Sequence, residues 1–378
     1  MRKQNFTTKS FFTNRRPINM QKYNSKDILR DLVAINTIAD KDNKAIMDYM
    51  EILLKGLNFS VKRLLNKDTD REILIGEYGK DPAIGFMGHT DTVDITEEWA
   101  TDPFLLTEKD GILYGLGACD MKGGIAAALS AIASTDLKSL NRGIKVVWTY
   151  DEEILFNGIK DFMKSGESFA DHMIVCEPTD MIPMIGSKGL LEYIYTFNGT
   201  TTHSSTPIEG RNSNKNAVRF LNKMLDFEDK LKENTTDMFS IPYTTMNLGI
   251  VNGGTAMNKV PDHTTVYMDF RICNSEKEYP LIRQAVDDSL APFDASYEII
   301  NDIPSFDKPS KYVSLYEEKT GREGVSFPGI TEGSFFEGDK IIIGPGPMTA
   351  HEVNEHITVE SLNQITTLYK DMIDELCR

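Results

Sequence analysis

Histidines and acids stand directly after short apolar runs at several places, and these residue types could bind metal ions. His89 and Asp91 follow the run Ala83–Met87, in the segment GHTD. A metal-binding histidine usually donates its second ring N–H to a carboxylate, and Asp91 could accept it from His89. His351 follows a further apolar run, in IIIGPGPMTAH. A lone His-x-Asp motif is more often a surface turn, so the other motifs must decide between the two interpretations.

Asp120 lies in the glycine-rich segment GLGACDMKGG, just before a helix of small residues. The segment lacks the third glycine of a dinucleotide-binding fingerprint, and the Asp120 carboxylate would repel a phosphate. A metal-bound carboxylate suits the position better, because the start of a helix stabilises a negative side chain. The alternative is an ordinary helix cap.

Two further acidic motifs follow the patterns of buried strands. The triplet Asp151, Glu152 and Glu153 ends one apolar run, and Glu177 follows another in MIVCEP. Adjacent carboxylates at the end of a strand repel one another unless a cation lies between them. The alternative for the triplet is a solvated loop.

Together the motifs offer two imidazoles and three or four carboxylates at the ends of predicted strands. Nitrogen and oxygen ligands of this kind suit Zn²⁺ or a similar divalent cation. They are too many for one tetrahedral zinc ion, but they suit two ions about 3.5–4 Å apart that share a carboxylate. The sequence therefore predicts a two-metal site.

Short apolar runs alternate with helical periodicity, which predicts an α/β fold whose mixed, mostly parallel sheet is flanked by helices. Because ligand crevices form at the carboxyl ends of such strands, the motifs should meet at one edge of the sheet. The strands are predicted at Ala83–Met87, Ile144–Thr149, Met173–Cys176 and Lys340–Ile343. The helices are predicted at Lys26–Ile35, Lys44–Leu57, Ile125–Ala133, Ile159–Lys164 and Val359–Leu376.

Residues 187–303 have a different pattern, in which polar and apolar residues alternate as they do in half-exposed strands. The order β-α-β-β-α-β predicts an inserted, ferredoxin-like α+β domain. The catalytic, metal-binding domain is then 21–186 plus 304–378, and 1–20 form a basic, disordered tail. The predicted strands of the insert are Leu190–Asn198, Thr245–Val251, Thr264–Arg271 and Ser296–Asn301, and its predicted helices are Asn212–Lys232 and Glu276–Leu290.

The composition of the 378 residues excludes several classes of protein. The net charge is −16, whereas nucleic-acid binding needs a basic face. No apolar stretch has the length of a membrane span. The four cysteines form no Cys-x-x-Cys pair, which makes the reducing cytoplasm the default location. The tail holds five basic residues and no acid, and a transit peptide is the alternative to disorder there.

The motifs resemble those of the two-zinc amidohydrolases and peptidases, the family that includes acetylornithine deacetylase and succinyl-diaminopimelate desuccinylase. The likeness runs from about residue 26 to the C-terminus. It rests on HTD at 89–91, GACDMKG at 117–123, DEE at 151–153, CEPT at 176–179 and the late histidine of TAHEVNEH. The resemblance implies a zinc-peptidase-like catalytic domain, two zinc ions for which cobalt could substitute, and an inserted lid.

The resemblance also implies which residues hold the two ions. His89 and Glu177 would bind one zinc ion, and Glu153 and His351 would bind the other. Asp120 would bridge the two ions.

Three further features of the catalytic domain are implied in the same way. Glu152 would be the general base, and Asp91 would orient His89. The Asp120–Met121 peptide would be cis, because related enzymes hold it so.

The resemblance assigns substrate-contacting residues to the insert. His203 would polarise the substrate carbonyl, and Asn258 would help to hold the substrate. His203 would reach a site either by closure of its own lid or by pairing of two chains through their lids, and the homodimer is the favoured expectation. A substrate α-carboxylate needs a cation, for which the first candidates are Lys188 and Arg271. Further candidates are Arg211, Lys215 and Lys259.

The implied activity is metal-dependent hydrolysis of the amide bond of a small N-acyl amino acid. N2-acetylornithine is the first expected substrate, which would place the chain in arginine biosynthesis. Succinyl-diaminopimelate and dipeptides are the alternatives within the family. A non-catalytic metal-binding scaffold is the alternative from another class, although the presence of the base Glu152 beside a complete ligand set argues against it.

Overall fold

The computed structural model describes residues 23–38, 41–95, 98–327 and 329–378. The predicted tail, 1–20, lies outside the described residues. The helices are α1 Ser25–Val33, α2 Lys44–Gly56, α3 Lys122–Ser134, α4 Asn157–Lys164, α5 Ser213–Leu231, α6 Ser275–Leu290, α7 Val313–Thr320 and α8 Val359–Cys377. The strands are β1 Ser60–Asn66, β2 Arg71–Tyr78, β3 Pro82–His89, β4 Thr107–Lys109, β5 Ile112–Tyr114, β6 Gly143–Thr149, β7 His172–Val175, β8 Met184–Ser187, β9 Gly189–Asn198, β10 Thr245–Gly253, β11 His263–Ile272, β12 Ala295–Ile303, β13 Val325–Phe327, β14 Asp339–Ile342 and β15 His356–Thr358.

The larger sheet has eight strands in the spatial order β1-β2-β6-β3-β7-β14-β8-β13. Its centre, β6-β3-β7-β14, is parallel and contains all four of the strands predicted for it. Every residue of β6 is buried, as expected for a strand that is covered on both faces. The predicted mixed, mostly parallel sheet with flanking helices is confirmed.

The register of the central strands aligns their carboxyl ends. His89, the last residue of β3, pairs with Thr149, the last residue of β6. Two residues earlier, Met87 pairs with Val175, the last residue of β7. The loops that leave these three strands therefore start side by side at one edge of the sheet.

Helix α3 is apolar on all sides and packs in the core between α1, α8 and the sheet. Gly124, in its first turn, allows a very close approach to the end of β7. A Cβ on Gly124 would lie 2.0 Å from the carbonyl oxygen of Cys176. Only glycine fits there, and the start of α3 is consequently held beside the residue that follows Cys176, which is Glu177.

The smaller sheet is antiparallel, in the order β10-β11-β9-β12, and α5 and α6 pack against it. It has its own apolar core, which includes Tyr195, Phe197, Phe220 and Phe270. The chain enters and leaves this region through neighbouring strands. The N–H of Ser187 donates to the carbonyl of Phe306 at 2.8 Å, and the N–H of Phe306 donates back at 2.9 Å.

The predicted helices and strands agree with the structure to within a few residues at their ends. The antiparallel strands β1 and β2 and the short strands β4, β5, β8, β13 and β15 were not predicted. Strand β1, SVKRLLN, is mixed in polarity and has no fully buried residue, so it lacks the apolar signal of the central strands. In the described part of the chain, no helix is long and apolar enough to cross a membrane.

Candidate metal centre

The predicted ligands converge at the carboxyl edge of the central strands. His89 ends β3, Glu152 and Glu153 lie in the turn after β6, and Glu177 is the second residue after β7. Asp120 precedes α3, which Gly124 holds against the same edge. The side chains of these five residues are at most 14% exposed.

One half of the cluster surrounds His89. Its Nε2 atom lies 3.1 Å from Oδ1 of Asp120 and 3.9 Å from Oε1 of Glu177. Burial opposes protonation of His89, but the carboxylates of Asp120 and Asp91 raise the pKa of its ring well above the usual range. The imidazole therefore stands in a strongly negative environment.

The other half surrounds His351, which lies on the loop after β14. Its Nε2 atom is 2.9 Å from Oε2 of Glu153 and 3.5 Å from Oδ2 of Asp120. His351 is 57% exposed, so it forms the solvent-facing rim of the cluster. The two oxygens of Asp120 consequently face two different histidines, Oδ1 toward His89 and Oδ2 toward His351.

Glu152 lies beside both halves without a close partner of its own. Its Oε2 atom is 4.0 Å from Nε2 of His89. Burial, together with the negative charges of Glu177 and Asp120, raises the pKa of Glu152 well above its ordinary value. A carboxyl group that lies beside the predicted ligands is in the position that a general base would occupy.

Asp91 joins His89 to the turn that carries the acidic triplet. Nδ1 of His89 lies 3.0 Å from the backbone carbonyl of Asp91 and 3.6 Å from its Oδ1 atom. The N–H of Glu153 donates to Oδ2 of Asp91 at 3.2 Å. The nearer acceptor for Nδ1 of His89 is thus the main-chain carbonyl of Asp91, and the Asp91 carboxylate is the farther one.

Asp151, the first acid of the triplet, is turned away from the cluster. Its Oδ1 atom lies 2.9 Å from the guanidinium of Arg71, and Oδ2 accepts a hydrogen bond from Asn157 at 2.5 Å. Asp151 has a φ of 63°, and His351 has the same value. Left-handed backbone at non-glycine residues is uncommon and often marks functional loops.

The donor set fits divalent cations. His89, Asp120 and Glu153 offer ligand atoms that all lie within 4.8 Å of one another. Burial, with the charge of Asp120, raises the pKa of Glu177, because a second buried negative charge beside Asp120 is unfavourable without a cation. Imidazole nitrogen and carboxylate oxygen are the ligands that zinc and related ions take. The Asp120–Met121 peptide is cis, as the resemblance implies.

The sequence model of the peptidase family M20/M25/M40 matches residues 85–375, a span that contains every residue of the cluster. The chain belongs to this family.

Members of the M20/M25/M40 family resemble the chain over nearly its whole length. The acetylornithine deacetylase of Proteus mirabilis is 30% identical over 377 residues, which are 93% of this chain and 96% of that protein. The aminopeptidase PepT of Bacillus cereus has a TM-score of 0.74 at 20% identity, covering 96% of this chain and 100% of that one. A dinuclear metal-binding peptidase of Bacillus subtilis has a TM-score of 0.67 at 13% identity, covering 94% and 99%.

Family membership and these relatives confirm that the chain is a metal-dependent amidohydrolase. The expected alternative of a non-catalytic scaffold is therefore set aside.

His203 and Asn258 both lie within residues 187–303, among the strands and helices of the smaller sheet. Both are exposed. Nδ1 of His203 contacts the hydroxyl of Ser205 at 2.7 Å, and the carbonyl of Asn258 accepts from the N–H of Ser204. Within the described ranges, no hydrogen bond or ion pair joins either side chain to the metal ligands.

Lys188 and Arg271 line one cavity of about 280 Å³ between the insert and the catalytic domain. Its apolar wall includes Phe239 and Phe327, and Lys188 donates to the carbonyl of Tyr243 at 2.6 Å. The other candidate cations lie elsewhere. Arg211 forms an ion pair with Asp294 at 3.1 Å, and Lys215 is on α5. The main chain of Lys259 pairs with the main chain of His203 in an isolated antiparallel β-bridge.

Two acids near the centre were missed by the sequence analysis. Glu332 is fully buried and lies close enough to His89 and Asp91 for their charges to act on its carboxyl group. Burial raises the pKa of Glu332 to about 7. Glu355 is also buried and accepts hydrogen bonds from the loop that carries Asp120. Neither acid follows an apolar run, which was the signal that identified the other motifs.

Proposed function

We propose that the cluster is a two-zinc centre that hydrolyses the amide bond of an N-acyl amino acid, with N2-acetylornithine as the first candidate substrate. The observation that carries the proposal is the position of Asp120 between two histidines, with the free carboxyl group of Glu152 beside them. The identity of the substrate is supported by the curated relatives named acetylornithine deacetylase. The chain would then act in the cytoplasm, in arginine biosynthesis.

In this proposal the ligands form two groups, one around each histidine, as the distances between their side chains suggest. His89 and Glu177 would hold one ion and Glu153 and His351 the other, and Asp120, which lies between the two histidines, would serve both. When bound, two divalent ions supply Lewis acidity to the amide carbonyl and lower the pKa of the attacking water. Asp91 fixes the ring of His89 so that Nε2 faces the cluster.

Glu152 moves the proton. Its carboxylate accepts a proton from the attacking water as the water oxygen bonds to the carbonyl carbon. It then delivers that proton to the amide nitrogen as the carbon–nitrogen bond breaks. The products are a carboxylate, which is acetate for N2-acetylornithine, and a free α-amine. General acid–base catalysis of this kind contributes roughly 10²–10⁴-fold to the rate.

Lys188 and Arg271 would bind the substrate carboxylate, because they are the cations of one cavity. Two cations also suit a substrate with more than one carboxylate. Succinyl-diaminopimelate is therefore the second candidate substrate.

We also propose a homodimer in which the partner chain supplies His203 and Asn258. Strand β10 is the outer strand of the smaller sheet, and its residues Leu248, Ile250 and Val251 are 38%, 49% and 48% exposed. An edge strand with free backbone groups and apolar side chains can pair with a second copy across a two-fold axis. His203 lies in the same insert, exposed and free of contacts with its own cluster.

The substrate assignment is tested with zinc- and cobalt-loaded protein. N2-acetylornithine, succinyl-diaminopimelate and several dipeptides are assayed side by side, with Glu152→Gln as the inactive control. We expect the largest kcat/KM for N2-acetylornithine. Preference for another substrate would overturn the substrate but keep the chemistry, and no hydrolysis of any amide by the metal-loaded chain would overturn both.

The dimer is tested by complementation. A His203→Ala chain is mixed with a Glu152→Gln chain, each nearly inactive alone. Sharing across the dimer predicts that mixed dimers regain one working site. No recovery, despite demonstrated exchange of subunits, would favour closure of the insert over its own site.

A further inference from the structure

Glu355 contacts the loop of Asp120 through three main-chain donors. Its Oε1 atom accepts hydrogen bonds from the N–H groups of Cys119 at 2.7 Å and Asp120 at 2.8 Å. Its Oε2 atom accepts from the N–H of Gly117 at 2.8 Å. The side chain of Glu355 is buried, so these bonds replace its contacts with water.

The segment that carries Glu355 also carries His351, and further contacts join it to the same loop. The N–H of Gly115 donates to the carbonyl of Glu355 at 3.1 Å. The thiol of Cys119 donates to the carbonyl of Pro347 at 3.3 Å and accepts from the N–H of Thr349 at 3.3 Å. The loops 115–120 and 347–355 are therefore bound together along their length.

The two halves of the metal centre are supported differently. His89 belongs to β3, and Glu177 follows β7 closely, so the parallel ladder fixes their positions. Asp120 and His351 lie on loops that no strand of the larger sheet contains. The contact between their side chains, 3.5 Å from Oδ2 to Nε2, lies between the two loops that these bonds join.

We propose that Glu355 is a positioning residue that sets Asp120 between the two metal sites and holds the loop of His351 against it. The inference rests on the proposed two-metal centre. Glu355 touches neither ligand side chain, and it acts through the backbone of Asp120 and through the shared loop of His351. Loss of its carboxylate should therefore weaken chiefly the site formed by Glu153 and His351.

Two substitutions of Glu355 test the role of its carboxylate, and two other variants serve for comparison. Glu355→Gln keeps the size of the side chain, but its amide NH₂ would face a backbone N–H in place of an acceptor oxygen. Glu355→Ala removes all three bonds. Glu352→Gln is the matched control, because Glu352 is exposed on the same loop and loses the same charge. His351→Ala serves as the reference for a defective second site.

The experiment measures binding of Zn²⁺ and Co²⁺ against a competing chelator, together with the absorption spectrum of the cobalt form. We expect Glu355→Gln to bind the weaker of its two ions 10- to 100-fold less tightly, the range for residues that orient metal ligands. Its cobalt spectrum should change in the direction of that of His351→Ala. The stronger site should change much less, and Glu352→Gln should match the native chain.

The outcomes distinguish this inference from the proposed centre. A native chain that binds fewer than two ions would overturn the centre itself. If the native chain binds two ions and Glu355→Gln binds both as tightly, with the native cobalt spectrum, the positioning role is wrong. A lower thermal stability with unchanged metal affinities would likewise show that Glu355 supports the fold alone. Glu355→Gln carries the test if Glu355→Ala does not fold.

Discussion

Two clusters of histidine and carboxylate lie at opposite edges of the same parallel strands. His89 is at the carboxyl edge, among Asp120, Glu152 and Glu177. At the amino edge, His172 begins β7 and pairs in register with Asp339, which begins β14. Nδ1 of His172 donates to Oδ2 of Asp339 at 2.6 Å, and Nε2 accepts from the hydroxyl of Tyr316 at 2.8 Å.

The clusters differ in how many acceptors are left without donors. Each ring nitrogen of His172 has one partner, and Asp339 is satisfied further by the hydroxyl of Ser310 and the N–H of Lys311. The cluster of His89 instead has more carboxylates than donors. A histidine next to an aspartate therefore does not mark a metal site by itself. The metal site is distinguished by buried carboxylates that outnumber their hydrogen-bond donors.

The largest effect that we expect separates two adjacent acids of the carboxyl edge. Glu152→Gln should leave the metal content nearly intact and lower kcat roughly 10²–10⁴-fold, because it removes the proton acceptor and no ligand. Glu153→Gln should instead release one ion, since Glu153 contacts His351. Metal analysis and steady-state kinetics of both variants test whether Glu152 is the base and Glu153 a ligand. Equal metal loss in the two variants would show that the roles are assigned wrongly.

At the amino edge we expect a large effect on stability and none on metal binding. His172→Leu leaves Asp339 and the hydroxyl of Tyr316 without their partner, at a cost of about 3 kcal/mol. Urea unfolding of the metal-free protein measures this loss, and elemental analysis checks that the metal content is native. Loss of an ion from His172→Leu would contradict the contrast between the two edges.

The amino edge should also make stability depend on pH. Burial lowers the pKa of His172 below its usual 6.5, although Asp339 favours the charged ring. The unfolded chain then binds this proton more readily than the folded chain. The free energy of unfolding should therefore fall as the pH drops below about 6.5, by at most about 1.4 kcal/mol per pH unit from this group. At higher pH the ring is neutral in both states, and the contribution is constant.

Urea unfolding of metal-free protein between about pH 7.5 and 5.5 measures this dependence. His172→Gln is the control, because it cannot take up the proton and should show a shallower slope. The same slope in both proteins would place the acid sensitivity elsewhere.

The smallest effect concerns the partner of the second ring nitrogen. Tyr316→Phe removes one buried hydrogen bond and should cost about 1 kcal/mol, because Nε2 of His172 loses its donor. Activity should be native. Tyr312→Phe is the matched control, since Tyr312 contacts the same ring edge-on without a hydrogen bond to it. Similar losses in both variants would attribute the effect to packing.

The contrast between the edges also shows what could be predicted from the sequence. The acids and histidines of the carboxyl edge follow apolar runs, and the parallel register brings the ends of such runs together. His172 precedes its run and gave no such signal. The central strands were recognisable because each contains a short, nearly continuous apolar run, whereas β1 carries charges and depends on its neighbour β2 for pairing.

Other parts of the site depend on contacts that the sequence does not reveal. Glu355 bonds to residues more than 230 positions away, and it does so through main-chain N–H groups, which every residue except proline has. Glu332 lies in a turn without an apolar run before it. The position of His203 relative to the cluster depends on the orientation of a separate domain, and the resemblance alone suggested its role.

The paired strands at Ser187 and Phe306 determine how the insert can move. Two reciprocal hydrogen bonds make the entry and exit strands a narrow ribbon. A ribbon of this kind bends readily across its flat face but resists shear within its plane, because shear would stretch both hydrogen bonds at once. We therefore expect the insert to rotate about this ribbon more easily than it slides within the plane of the ribbon.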